Sequence, residues 1–154
     1  MQLINDAEPF EYYEESRKYP RVKIELPVKL MLEDKSVAFA NIYDISPDGI
    51  QIRCSGDVAV RLNPDGKKID QYKNVIVKAT FSLPINNELK EVCVYCKVYY
   101  FVLLKEKSDK NIAFGLQFKK FEGQSVKYIG RHILSELEPA SDFFHNNFDR
   151  VDLN

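Results

Sequence analysis

Two short stretches of this chain hold residue types that could recognise a phosphorylated ligand. Arg17-Lys18-Tyr19-Pro20-Arg21 is an R-x-x-x-R, with two guanidinium groups close along the chain. A guanidinium presents a planar fork of donors that matches a pair of phosphate oxygens or the O6 and N7 edge of guanine, and its flat face can stack on a purine. Asp44-Ile45-Ser46-Pro47-Asp48-Gly49 is a D-x-S-x-x-G. A carboxylate such as Asp44 only accepts hydrogen bonds, so it suits N–H donors like those on the Watson–Crick edge of guanine. Ser46 can donate to a phosphate or cap the turn. Gly49 suits a positive φ or the close approach of a ligand. Each stretch taken singly also has a plain reading. The arginines can be a solvated charge cluster beside acidic residues, and the second stretch a turn in which Asp44 or Ser46 bonds its own backbone.

The elements around these residues decide whether they meet. From Arg21 onward the pattern is mostly β. Val22, Ile24, Leu26, Val28 and Leu30 alternate with Lys23, Glu25, Pro27 and Lys29 at a period of two. Pro27 inside that run points to an edge strand or a bulge. Glu33 to Ser36 reads as a turn, 36–45 as a second strand, Ser46-Pro47-Asp48-Gly49 as a tight turn, and 49–55 as a third strand with Ile50 and Ile52 on one face. A polar connection follows from Asn63. Two longer strands, 74–83 and 89–104, join near Pro84-Ile85-Asn86-Asn87, and 112–121 is the last strand. The period then changes. Val126, Ile129, Ile133, Leu134 and Leu137 recur at three and four, an amphipathic helix with Ser125 as N-cap and Pro139 just past its end. Six antiparallel strands separated by turns predict a mainly β protein, a small barrel with a C-terminal helix docked on it, since closure removes exposed edges. Between Arg21 and Asp44 lie 22 residues, enough for a strand, a turn and most of a second strand. That path can return the second motif to the first.

Composition bounds the rest. The chain has 154 residues, 45% hydrophobic and 29% charged, which suits one ordinary globular domain. The formal net charge of −1 lacks the basic excess of a nucleic-acid-coating surface. The first residues carry acids and no apolar core, and the longest apolar run, 98–104, is far below the roughly 20 residues that span a bilayer, so no membrane insertion and a cytoplasmic place are expected. Cys93 and Cys96 form a C-x-x-C, but on a strand such positions face opposite sides, and only His132 and His145 could complete a zinc set. They read as small hydrophobes, with no metal site and no cofactor. Neither a nucleophile–base pair nor a metal set emerges, so an enzyme is not expected. Residues 1–16 form a polar arm in which Glu8, Glu11, Glu14 and Glu15 interleave with Phe10, Tyr12 and Tyr13. Residues 139–154 form a tail whose Phe143, Phe144 and Phe148 suit packing back or an interface, a homodimer included.

With both motifs present in this β setting, residues 16–138 resemble the PilZ domain family. That family carries R-x-x-x-R just before a six-stranded barrel and D/N-x-S-x-x-G between its second and third strands. The strand Gly115-Leu116-Gln117-Phe118 matches its Gly-apolar-x-Phe pattern. The resemblance implies that 17–138 is the domain and that the chain is a bacterial receptor or adaptor for cyclic di-GMP. Arg17 and Arg21 would clamp the ligand, and Asp44, Ser46 and Gly49 would form the other half of the site. An aromatic on the fifth strand sometimes lies against the guanine in this family, and Tyr100 takes that place here. Members that bind a stacked ligand pair often have an arginine directly before the first motif arginine. Ser16 stands there, which implies one ligand. A single-domain member would relay the signal by contact to an effector protein of motility, adhesion or polysaccharide machinery. The alternative is a PilZ-like interaction module that ignores nucleotide.

Overall fold

The computed structural model describes residues 20–64, 75–105 and 109–137. Arg17, the arm and the tail lie outside the described residues. Strands β1 (Val22–Met31), β2 (Val37–Ser46), β3 (Gly49–Cys54), β4 (Ile76–Ile85), β5 (Glu88–Leu103) and β6 (Ile112–Phe121) form one antiparallel sheet. It closes in the order β1-β2-β3-β6-β5-β4, the six-stranded barrel that the sequence predicts. Period-two alternation fills the interior with Leu30, Ile42, Ile45, Ile50, Ile52, Val92, Val94 and Leu116, all buried. Each such side chain contributes about 1.5–3 kcal/mol of burial.

Turn chemistry sets the register. The β4–β5 hairpin turns on Asn86 and Asn87, with φ of 52° and 67°. Two successive positive φ values make the primed two-residue turn whose twist matches the strands, and asparagine tolerates it. Both strands therefore run closer to the tip than expected, to Ile85 and from Glu88. β1 pairs with β4 only through Lys29, Leu30 and Met31. Pro27 precedes that contact and pairs with β2 alone, so its missing N–H falls where β1 has a locally free edge.

Three features differ from the sequence reading. A short helix, α1 (Gly56–Leu62), follows β3 where only a strand end and a polar connection were expected. Ser55 ends the strand one residue early because its side chain caps α1, accepting from the Val58 N–H, and Leu62 buries against the core. The C-terminal helix, α2 (Ser125–Leu137), has the expected span, yet Ser125 is its buried first residue and not its cap. The Ser125 hydroxyl instead accepts the Cys93 N–H at 2.9 Å and ties the helix to β5. The buried side of α2 is Ser125, Ile129, His132 and Ile133, while Val126 and Leu134 are exposed, so the apolar stripe is narrower than its spacing suggested. His132 Nδ1 lies 3.2 Å from the Pro84 carbonyl.

Cys96 is buried in the core and Cys93 is half-buried, bonded weakly to Thr80 on β4. Burial pushes the Cys54 thiol up to about 12 and raises that of Cys96 as well. Among the described residues no helix is long and apolar enough to cross a membrane.

Candidate functional site

β2 departs from regular pairing at one point. Ile42 pairs with Ile52 and Asp44 with Gln51, so Tyr43 is an extra residue opposite β3, a β-bulge. The bulge shifts the alternation by one. Ile42 and Ile45, three apart, both enter the core, and Tyr43 and Asp44 between them lie on the outer side. β1 answers with its own irregularity between Lys23 and Leu26. β5 has a third, between Val98 and Tyr100. There Val98 and Phe101 stay in the core, and Tyr100 joins a small separate cluster with Val102 and Ala113.

These irregularities gather the polar groups. Arg21, at the entrance to β1, donates from Nη1 to Asp44 Oδ1 at 2.8 Å. The pair is largely buried, with 14% of the arginine side chain and 8% of the aspartate side chain exposed. Among the described residues the buried Arg21 Nε–H has no hydrogen-bond partner. A buried donor without an acceptor costs about 1–3 kcal/mol, so this one is poised for an acceptor from outside the fold.

The turn after β2 is braced from within. Ser46 pairs with Gly49 across a two-residue connection, Pro47-Asp48. The Ser46 hydroxyl is fully buried and donates to Asp48 Oδ1 at 2.5 Å. The Asp48 carbonyl accepts the Phe118 N–H at 2.9 Å, which fastens the turn to β6. Ser46 thus caps the turn, one of its two expected roles. Gly49 does not have a positive φ, contrary to one expectation for it. A Cβ there would sit 2.3 Å from the Leu116 carbonyl oxygen, so the residue is glycine because β3 and β6 approach closely.

Tyr100 lies across β6 with its ring over Gly115, where an added Cβ would come within 2.2 Å of Cε2. It is 1% exposed. Its hydroxyl accepts from Gln51 Nε2 at 3.1 Å. Burial pushes its pKa up, while the nearby Arg21 and the Gln51 bond pull it down. Gln51 Oε1 in turn accepts from Arg53 Nε at 2.9 Å, and the Arg53 guanidinium lies 3.6 Å over the Tyr43 ring. Lys23 reaches the Tyr43 hydroxyl at 2.6 Å, beside a depression of about 460 Å³ lined by Glu25, Asn41, Tyr43, Arg53 and Lys110.

The family model of the PilZ domain matches residues 15–135. The chain belongs to the PilZ domain family. Among solved structures it is similar to the Bacillus subtilis inhibitor of motility MotI/DgrA, at 15% identity and a TM-score of 0.56, over 79% of this chain and 52% of that one. It is likewise similar to MrkH of K. pneumonia in complex with c-di-GMP, at 17% identity and 0.56, over 82% and 55%. The PilZ domain of YcgR from Escherichia coli with c-di-GMP gives 16% and 0.51, over 88% and 98%. The chain spans about half the length of the first two, and these likenesses establish a common fold. A comparison with curated protein sequences gave no match.

In this PilZ domain, Arg21 just before β1, Asp44 and Ser46 on β2, Gly49 at the start of β3 and Tyr100 on β5 lie in one neighbourhood. Arg17 lies outside the described residues. Sequence reasoning did not single out Gln51, Arg53 or Tyr43. The signal for Gln51 and Arg53 was available in the alternation, since they sit between Ile50, Ile52 and Cys54 and must face outward.

Proposed function

We propose that this PilZ domain is a receptor for cyclic di-GMP. The observation that carries the reading is the Arg21 guanidinium, held by Asp44 beside the D-x-S-x-x-G turn and keeping a buried N–H that has no acceptor among the described residues. A phosphodiester oxygen supplies that acceptor. Arg17, by its place in the motif, supplies the second guanidinium. Asp44 has accepting capacity beyond the Arg21 bond and suits the N–H donors of guanine. Ser46 and Gly49 hold the turn beside this pair, and Tyr100, whose charge state Arg21 and Asp44 both influence, is the candidate aromatic of the site. In support, the MrkH and YcgR structures similar to this one hold c-di-GMP.

The chemistry is binding and not turnover. A receptor of this kind relays ligand level by contact with an effector protein, in the bacterial cytoplasm where such a messenger acts. Calorimetric titration of the full chain with cyclic di-GMP, with GTP and cyclic GMP as controls, tests the reading. Saturable binding of cyclic di-GMP alone is expected. Absence of heat with cyclic di-GMP at ligand concentrations well above micromolar would remove the reading and leave an interaction module.

A further inference from the structure

The geometry points to Gln51 as a positioning residue that fixes the Tyr100 hydroxyl as a donor toward the Arg21–Asp44 pair. This inference rests on the receptor reading and extends it to a residue outside both motifs. Gln51 is fully buried on the outer side of β3, directly opposite Asp44. Both ends of its amide are engaged, and their order is set by chemistry. Arg53 has only donors, so the end of Gln51 that meets Arg53 Nε must be the oxygen. The NH₂ end therefore faces Tyr100 and donates to its hydroxyl oxygen at 3.1 Å. With that bond accepted, the phenolic proton is left to give away. The acceptor-only group beside it is the Asp44 carboxylate, and a ligand phosphate oxygen is the alternative.

The ring is held for this task. The bulge at β5 turns Tyr100 out of the barrel, and Gly115 provides the bare backbone on which its ring lies. Tyr43 completes the chain at its far end, where its ring supports the Arg53 guanidinium. The row Tyr43, Arg53, Gln51, Tyr100 thus runs across β2, β3 and β5 with one direction of donation, ending at the arginine–aspartate pair.

A binding cycle tests this. Gln51→Met keeps length and bulk and removes both hydrogen bonds. Tyr100→Phe deletes one oxygen and leaves the ring on Gly115. Calorimetric Kd values for cyclic di-GMP are measured on the full chain for wild type, each variant and the double variant, with melting temperatures alongside. Each single change should weaken binding about five- to tenfold, the scale of one hydrogen bond. The double variant should be no weaker than the weaker single, because both act through one hydroxyl. Unchanged Kd in either single variant, or losses that multiply in the double, would overturn the inference, and a fall in melting temperature alone would mark Gln51 as structural. If Gln51→Met does not fold, Tyr100→Phe binding at wild-type strength is enough to overturn it. A wild-type chain that does not bind at all overturns the receptor reading itself, so the two failures are distinct.

Discussion

Arg21→Lys separates the two things that Arg21 does. The guanidinium donates to Asp44, and among the described residues its buried Nε–H has no acceptor. A lysine ammonium can keep the positive charge beside Asp44 and has no Nε–H to strand. The orphan costs about 1–3 kcal/mol, so its removal offsets the poorer fit of the ammonium. The empty variant should melt within about 4 °C of wild type, given about 2–4 °C per kcal/mol for a chain of this size. Ligand binding should respond differently. An ammonium is a point charge and cannot present two parallel donors to a phosphate. Losing one charge-assisted hydrogen bond, about 1.5–3 kcal/mol, weakens binding about 10- to 150-fold. Thermal melts and calorimetric titration with cyclic di-GMP read the two effects separately. If the melting temperature drops by more than about 6 °C while Kd stays at its wild-type value, Arg21 is a structural residue and the argument from its stranded N–H is wrong.

Asp44→Ala leaves the largely buried Arg21 charge without its partner and should cost about 3 kcal/mol, the low end for a broken buried pair because both side chains keep some exposure. That is a fall of about 6–12 °C in melting temperature, and a shift under about 2 °C would make the pair no stronger than a surface bridge. Gly49→Ala drives a Cβ into the Leu116 carbonyl, a backbone atom that can move only with β6, so a loss of about 3 kcal/mol in urea unfolding is expected. Wild-type stability there would mean that β3 and β6 separate freely. Stability should also fall at alkaline pH. Cys54 keeps its proton in the fold up to about 12 and releases it from about 9 when unfolded, so between those values the unfolded chain binds fewer protons and the slope with pH is negative. Urea midpoints at pH 7, 9 and 10.5 should decline, and less steeply in Cys54→Ala. An equal slope in that variant would assign the decline elsewhere, with Cys96 and Tyr100 as the next groups whose ionisation burial holds back.

Alternation was enough to read the barrel. Val28 and Leu30, Ile50 and Ile52, and Val92 and Val94 each repeat at two and each lie in the core. The two motifs were legible because their residue types are unusual in a β pattern, and the contact of Arg21 with Asp44 follows from one hairpin between them. What the sequence hid has a common cause. A bulge is one unpaired residue, and nothing in Ile42-Tyr43-Asp44-Ile45 distinguishes it until the strand is laid against its neighbour. Seven-residue α1 was missed because Gly56, Val58 and Val60 are poor helix formers, and it is held by the Ser55 cap and the burial of Leu62. Ser125 looked like a cap because its type suits one, but its hydroxyl is claimed by Cys93, a partner 32 positions away.

The bulge at Tyr43 also explains why the motif can carry a charge at all. On a strand of strict period two, an inward Ile42 puts Asp44 inward as well, into a lining that holds Ile50 and Ile52. An ionised carboxylate there would lack any compensating partner and would be strongly disfavoured. One extra residue turns Asp44 to the outer side, where Arg21 meets it, and returns Ile45 to the core, so the hydrophobic interior and the charged site are satisfied by the same local irregularity. The bulge on β5 does the equivalent for Tyr100 and Phe101. A site built this way depends on pairing register. Its positions cannot slip without exchanging core and surface, so the register that keeps Ile42 and Ile45 in the core also keeps Asp44 opposite Gln51.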